Sequence, residues 1–195
     1  MAVTLSAEIA AAAARLVVEE GLDYGPAKRR ALRDLGQGRA HDLPGNDEVE
    51  DEVRAYLELF HADSQPHELT LLRAIALRWM ERMAAFRPHL TGAAWRGTAT
   101  RLSTIHIDLY CDDSKAAELA LLDARTDYEV STAEGSRGAI DVLNVFERSA
   151  DLGSLVRIAM AVRDYDDLRG ALKRDGRGRS PRGDVGALRQ LQAGA

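Results

Sequence analysis

The chain has 195 residues, 26 of them basic and 31 acidic, for a formal net charge of −5. This length supports one domain, or one domain with a sizeable appendage, and a core that needs no disulfide or structural metal. The acidic balance excludes a global basic field for nucleic-acid binding. The single cysteine, Cys111, excludes an intrachain disulfide and a Cys-rich zinc site, and points to a reducing compartment.

Helices fill the first half. The Ala-rich run from Ile9 to Leu16 has no basic leader and is broken by charges (Glu8, Arg15, Glu19, Glu20), so it reads as a helix of a cytoplasmic protein, not a signal sequence. No stretch of about 18 apolar residues is present to span a membrane. Ser6 is the expected N-cap of this helix, and Gly21 its stop. A second helix opens at Pro26 and closes at Gly36. The Gln37–Gly45 stretch, with Leu43-Pro44-Gly45, is an expected loop. A third helix starts at a cap on Asn46, places Asp47 and Glu48 at its positive end, and repeats Val49, Val53, Tyr56, Leu57 and Phe60 at helical spacing. A fourth follows a cap at Asp63 or Ser64, buries Leu69, Leu72, Ala76, Met80 and Met83, and ends before Pro88.

The pattern changes near residue 89. A short strand, His89 to Thr91, leads into a glycine turn. Ser103 to Cys111 then alternates, with Ile105, Ile107 and Leu109 on one face and Thr104, His106, Asp108 and Tyr110 on the other. Asp112 and Asp113 offer caps for a helix from Lys115 to Ala124. Strands are expected over Tyr128 to Ser131, Ile140 to Phe146 and Leu155 to Val162. Short helices follow near Asp166 to Leu172 and Val185 to Leu191. Between Arg169 and Arg189 seven basic residues face two acidic ones, so this tail reads by default as a solvated terminus, with an arm that contacts RNA or phosphate, or a segment folded over the glycine turn, as the alternatives. The expected fold class is α+β: a helical part over 1–88, a mixed sheet over 89–165 and a basic tail over 166–195.

The chemistry-bearing segment is Leu90 to Leu109. A strand ends at Gly92, Arg96-Gly97 follow with Thr98, then Ser103 opens a strand with a polar residue at every second position. This resembles the nucleotidyltransferase superfamily signature, in which a glycine turn cradles nucleotide phosphates and a Ser-Asp-hydrophobic-Asp strand holds two magnesium ions. The resemblance implies phosphate contacts from Gly92, Arg96, Gly97, Thr98 and Ser103. Glycine lets backbone amides approach phosphate, and carboxylates two apart on a strand share a face. The chain departs from the signature: Ala93 follows the glycine, and Thr104 and His106 stand at the two metal-ligand positions. Asp108 shares their face, ~6.5–7 Å further along. The strand expected to supply the third carboxylate, Leu155 to Val162, carries Arg157 instead.

Tyr24-Gly-Pro-Ala27-Lys28-Arg29 and Phe86-Arg-Pro88-His-Leu90-Thr-Gly92 also resemble a set of short bacterial proteins, some labelled UDP-N-acetylmuramate–alanine ligase. That ligase requires a Gly-Lys-Ser/Thr loop, and no Gly-Lys pair occurs here. Three readings follow. The first is an impaired nucleotidyltransferase-like protein that binds a nucleotide or phosphorylated partner. The second is an active, magnesium-dependent enzyme with displaced ligands, using Asp108 with Asp141 or Glu147, and His106. The third is a structural or dimerisation module, in which Gly92 and Gly97 make a plain turn and His106 and Asp108 lie on a solvated strand face. Trp79 and Trp95 suit either a nucleotide pocket or packing between helices, and Cys111 an inert, half-buried thiol.

Overall fold

Thr4, two residues before the expected Ser6, caps the first helix: its hydroxyl accepts from the Ala7 amide at 3.3 Å. The computed structural model describes residues 4–36, 43–135 and 138–194, and the loop expected over 37–45 lies mostly outside them. Helix α1 (Leu5–Glu20) stops at Gly21, whose left-handed φ of 69° lets its amide reach the Val17 carbonyl. Helix α2 (Tyr24–Asp34) starts two residues earlier than Pro26 suggested, with Asp23 at the cap position. Helix α3 (Asn46–Phe60) is capped at Gly45, whose amide donates to the Glu48 carboxylate at 2.8 Å. Helix α4 (Gln65–Arg82) completes the helical half.

The sheet follows: β1 (His89–Thr91), α5 (Gly92–Arg96), β2 (Ile105–Cys111), α6 (Ala116–Asp123), β3 (Glu129–Gly135), β4 (Gly138–Ser149) and β5 (Ser154–Asp164). Then come α7 (Leu168–Ala171), β6 (Arg182–Gly183) and α8 (Val185–Ala193). The class is α+β, as expected. The strand order is β3-β4-β5-β2-β1-β6. β2 and β5 run parallel, and every other pair is antiparallel. A parallel pair needs a long crossover, and α6 with the β3–β4 hairpin supplies it.

By contacts the chain forms two compact units, Met1–Leu69 with Thr98–Ser103, and Thr70–Gly97 with Thr104–Ala195. This differs from the boundary expected at residue 88. In the first unit, Ile9, Ala13, Val17, Ala27, Ala31, Val49, Val53 and Leu57 form one buried cluster between α1, α2 and α3. Small alanines let these helices approach closely, which replaces the packing area that aromatic residues would bring. The 98–103 segment joins this unit through the Gln65 amide, which donates to Ala99 O at 2.9 Å, and Glu68, which accepts from the Arg101 amide at 2.8 Å.

In the second unit α4 contributes its buried stripe, Leu72, Ile75, Ala76, Trp79 and Met80. Trp79 Nε1 donates to Glu147 on β4 at 2.8 Å, which fixes α4 beside that strand. The alternating residues Ile105, Ile107 and Leu109 of β2 and Ile158, Met160 and Val162 of β5 are buried, as the sequence pattern predicts.

The basic tail departs from its default expectation. It is built into the second unit and is not a solvated terminus. Asp175 closes a turn by pairing with Arg179 at 3.0 Å and accepting its amide at 2.8 Å. Arg182 and Gly183 then form β6 on the outer edge of β1. Leu188 on α8 is fully buried, and Arg189 pairs with Glu81 at 2.7 Å. Trp95 of α5 lies against Gly183 so closely that a Cβ there would collide with the indole ring. Its Nε1 donates to Ser180 O at 2.8 Å, so the ring cannot swing aside without losing that bond. Gly183→Ala should therefore lower unfolding stability by about 1–3 kcal/mol, the usual cost of overpacking. Urea denaturation followed by tryptophan fluorescence would measure it.

Candidate functional site

The turn that ends β1 is placed as the sequence suggested. Gly92 has a φ of 66°, a left-handed conformation open to glycine. The side chain nearest to it is His106 of β2, whose ring carbon Cδ2 would lie 3.3 Å from an added Cβ. Gly92 therefore fits this turn for two reasons, its backbone angle and the room it leaves for His106. α5 runs for five residues and ends at Gly97, with φ 85°. On α4, Arg73 donates to the last carbonyls of α5, through Nε to Ala94 O at 2.9 Å and Nη2 to Trp95 O at 3.3 Å.

The expected phosphate contacts are divided between the two compact units. Gly92, Arg96 and Gly97 belong to the second unit, and Thr98 and Ser103 to the first. Thr98 is only 2% exposed, so its hydroxyl is closed off from solvent. The Ser103 hydroxyl accepts from the Thr100 amide at 3.0 Å, while the Ser103 amide donates to Thr100 O at 2.8 Å. These two bonds close a tight turn on itself.

The polar face of β2 is not the solvated face expected from its sequence. Asp108 is 2% exposed and Tyr110 fully buried, while His106 is half-buried. Asp108 lies between two guanidinium groups. Arg163 of β5 donates Nε to its Oδ1 at 2.7 Å. Arg182 of β6 donates to its Oδ2 and also to the Tyr110 phenol oxygen. The His89 ring meets Tyr110 edge-on at 5.4 Å, and its Nδ1 donates to Arg87 O at 2.9 Å. Asp108 therefore holds residues from strands on both sides of β2.

Electrostatics follow from this geometry. Burial lifts the Tyr110 phenol above its ordinary range, and the Asp108 charge adds to the effect; Arg182 and Arg163 oppose it. Burial works against the Arg163 charge, but the Asp108 carboxylate overcomes it and holds that guanidinium above its usual value. Burial, with help from Asp113, Asp112 and Asp164, raises the Cys111 thiol, which fits the inert role expected of it.

The other two carboxylates expected at a metal site lie elsewhere. Asp108 stands opposite Ala161, and Ala161 opposite Val142. Asp141 and Glu147 are each an odd number of residues from Val142 on the same strand, so they belong to the other face of the sheet. Asp141 pairs there with Lys115 at 3.5 Å, and Glu147 with Arg78 and Trp79. The assignment of Asp141 or Glu147 as a partner of Asp108 therefore does not fit the topology. Neither Asp112 nor Asp113 is the cap expected of it: Lys115 holds the N-cap position of α6, and Asp113 accepts from the Lys115 amide at 2.9 Å in the turn before the helix. Among the described residues no group of three or more His, Cys, Asp or Glu could hold a metal ion.

The arginines are what sequence reading missed. Arg163 and Arg182 are 55 and 74 residues from Asp108, so no local spacing announces the contact. The one available signal was Arg163 itself, two residues beyond Ala161 on the face that Asp108 shares.

No family model, curated protein or solved structure matches the chain. Among the described residues no helix is long and apolar enough to cross a membrane.

Two outcomes test the network. Asp108→Asn leaves two guanidinium groups without their anion. It should cost about 3 kcal/mol by urea denaturation, the low end for breaking a buried pair, because both arginines keep some contact with water. The raised Tyr110 phenol stabilises the fold fully below its unfolded value of about 10. Above that pH the unfolded chain ionises first, and the contribution is lost as pH rises through the folded value. Denaturation midpoints across pH 9 to 11.5 should fall more steeply for the wild type than for Tyr110→Phe.

Proposed function

We propose that the chain is a nucleotidyltransferase-like protein that binds a nucleotide or another phosphorylated partner and does not run two-metal transfer. The observation that carries this reading is the state of Asp108. Both of its oxygens are engaged by Arg163 and Arg182. A magnesium ion would have to displace one guanidinium and would find no second carboxylate on that face at the expected positions, Thr104 and His106. The residues present therefore do not fit a magnesium pair.

The ligand side of the reading is supported by the β1–Gly92–α5 turn. It keeps a left-handed glycine at the strand end, followed by Arg96 and Gly97. The antiparallel β1–β2 pair, with β5 parallel to β2, suits the resemblance drawn from the sequence. Positive charge that a metal would bring to a phosphate is carried instead by arginine, which presents fixed N–H donors to phosphate oxygens.

Calorimetry with ATP, GTP, CTP and UTP, each with and without magnesium, tests this directly. The expected result is micromolar binding to at least one nucleotide, unchanged by magnesium. Arg96→Ala should weaken it by about tenfold, the loss of one charge-assisted hydrogen bond of ~1.5 kcal/mol. Binding that requires magnesium would overturn the metal-free reading. Heat-silent titrations across the whole panel, repeated at a second temperature, would overturn the nucleotide reading.

A further inference from the structure

Arg73 is the one charged residue of α4 that is buried, at 8% exposed. The buried acidic side chains among the described residues each have an ionic partner: Glu50 pairs with Arg54, and Asp108 with Arg163 and Arg182. Arg73 has none among the described residues. Its donors go to the carbonyls of Ala94 and Trp95 at the end of α5. Burial is the sole influence on its titration and pushes it below its ordinary value, with no neighbouring charge to offset the effect. A buried cation without a counter-charge is costly to keep. Carbonyl oxygens at a helix end offset part of that cost but carry only partial charge.

These carbonyls belong to the turn that runs from Gly92 to Gly97. We propose that Arg73 is a positioning residue for an anion site on that turn, holding α5 in place and lending it an unmatched positive charge that a bound phosphoryl group completes. The inference rests on the phosphate reading above and names how that site is built. The fork of the guanidinium spans two successive carbonyls, which fixes the direction in which α5 ends and therefore where Arg96 and Gly97 lie. From the other side, Trp95 is held by Ser180 O and packed on Gly183. The turn is thus clamped by α4 and by β6 together. The ligand class is a phosphoryl group, whether in inorganic pyrophosphate or on a nucleotide. A nucleoside without phosphate has no charge to complete the site.

The test uses the full chain with Arg73→Met and Arg73→Lys, titrated with pyrophosphate, ATP and adenosine at 50 and 200 mM salt. Arg73→Met should bind pyrophosphate and ATP at least tenfold more weakly, with a shallower salt dependence. Arg73→Lys keeps the charge but not the fork, so it should retain the wild-type salt dependence with intermediate affinity. Adenosine should bind no variant. Wild-type affinity and salt dependence in a folded Arg73→Met protein would overturn this inference and leave the phosphate reading standing. Wild-type protein that binds neither pyrophosphate nor ATP would overturn both. Should Arg73→Met fail to fold, the wild type alone decides through the Arg73 Nε–H resonance and amide exchange over 92–97. Pyrophosphate should shift the first and slow the second, and no change in either overturns the proposal.

Discussion

One buried carboxylate governs the second unit. Asp108 is withdrawn from water at the centre of the sheet, and a carboxylate there is tolerable only if its charge is met. Arg163 meets it from β5 and Arg182 from β6. Because the two donors come from strands on opposite sides of β2, the charge requirement becomes a geometric one. Both strands must be in register for either guanidinium to reach. A hydrophobic residue at this position would contribute comparable stability, but it would not specify which strand lies on which side.

The same contact shapes the functional reading. A strand with a polar face beside a glycine turn suits phosphate chemistry, yet here the one acidic group on that face is engaged by cations. Around Asp108 the balance is that of guanidinium groups and imidazoles, with His89, His106, Arg163 and Arg182 on or beside its face. Arg73 adds a further cation behind α5. Under the proposed reading such a surface would attract a phosphoryl group by fixed charge, with no need to recruit a divalent ion first. Its selectivity would come from the planar donor geometry of arginine.

Much of this architecture could be read from the chain itself, for local reasons. Gly21 stops α1 because a left-handed cap needs no partner beyond the helix it ends. Ile105, Ile107 and Leu109 announce β2 because a strand's alternation is visible within seven residues. The polar side of β2 was misjudged because its burial depends on Arg163 and Arg182, which are far away in sequence. β6 was invisible: two residues, Arg182 and Gly183, carry no alternation, and an arginine-rich stretch looks solvated by default. The division at Leu69 was equally hidden. It depends on which neighbours α4 meets along its length, and α4's own periodicity is continuous across the break.

The position of β6 has a consequence for how the second unit forms during synthesis. β1 and β2 leave the ribosome early, and their hairpin-like pair is complete by Cys111. The outer edge of β1, however, waits for Gly183, 93 residues after its partner Leu90. Until then the nascent chain carries an open strand edge and a half-compensated Asp108. An unpaired edge is a template for pairing with other chains, and long-range pairings form slowly. Of the six strands, the one that seals this edge is thus the last to be made, and a chain cut short before Arg182 would be exposed to aggregation in proportion to the time that edge stays open.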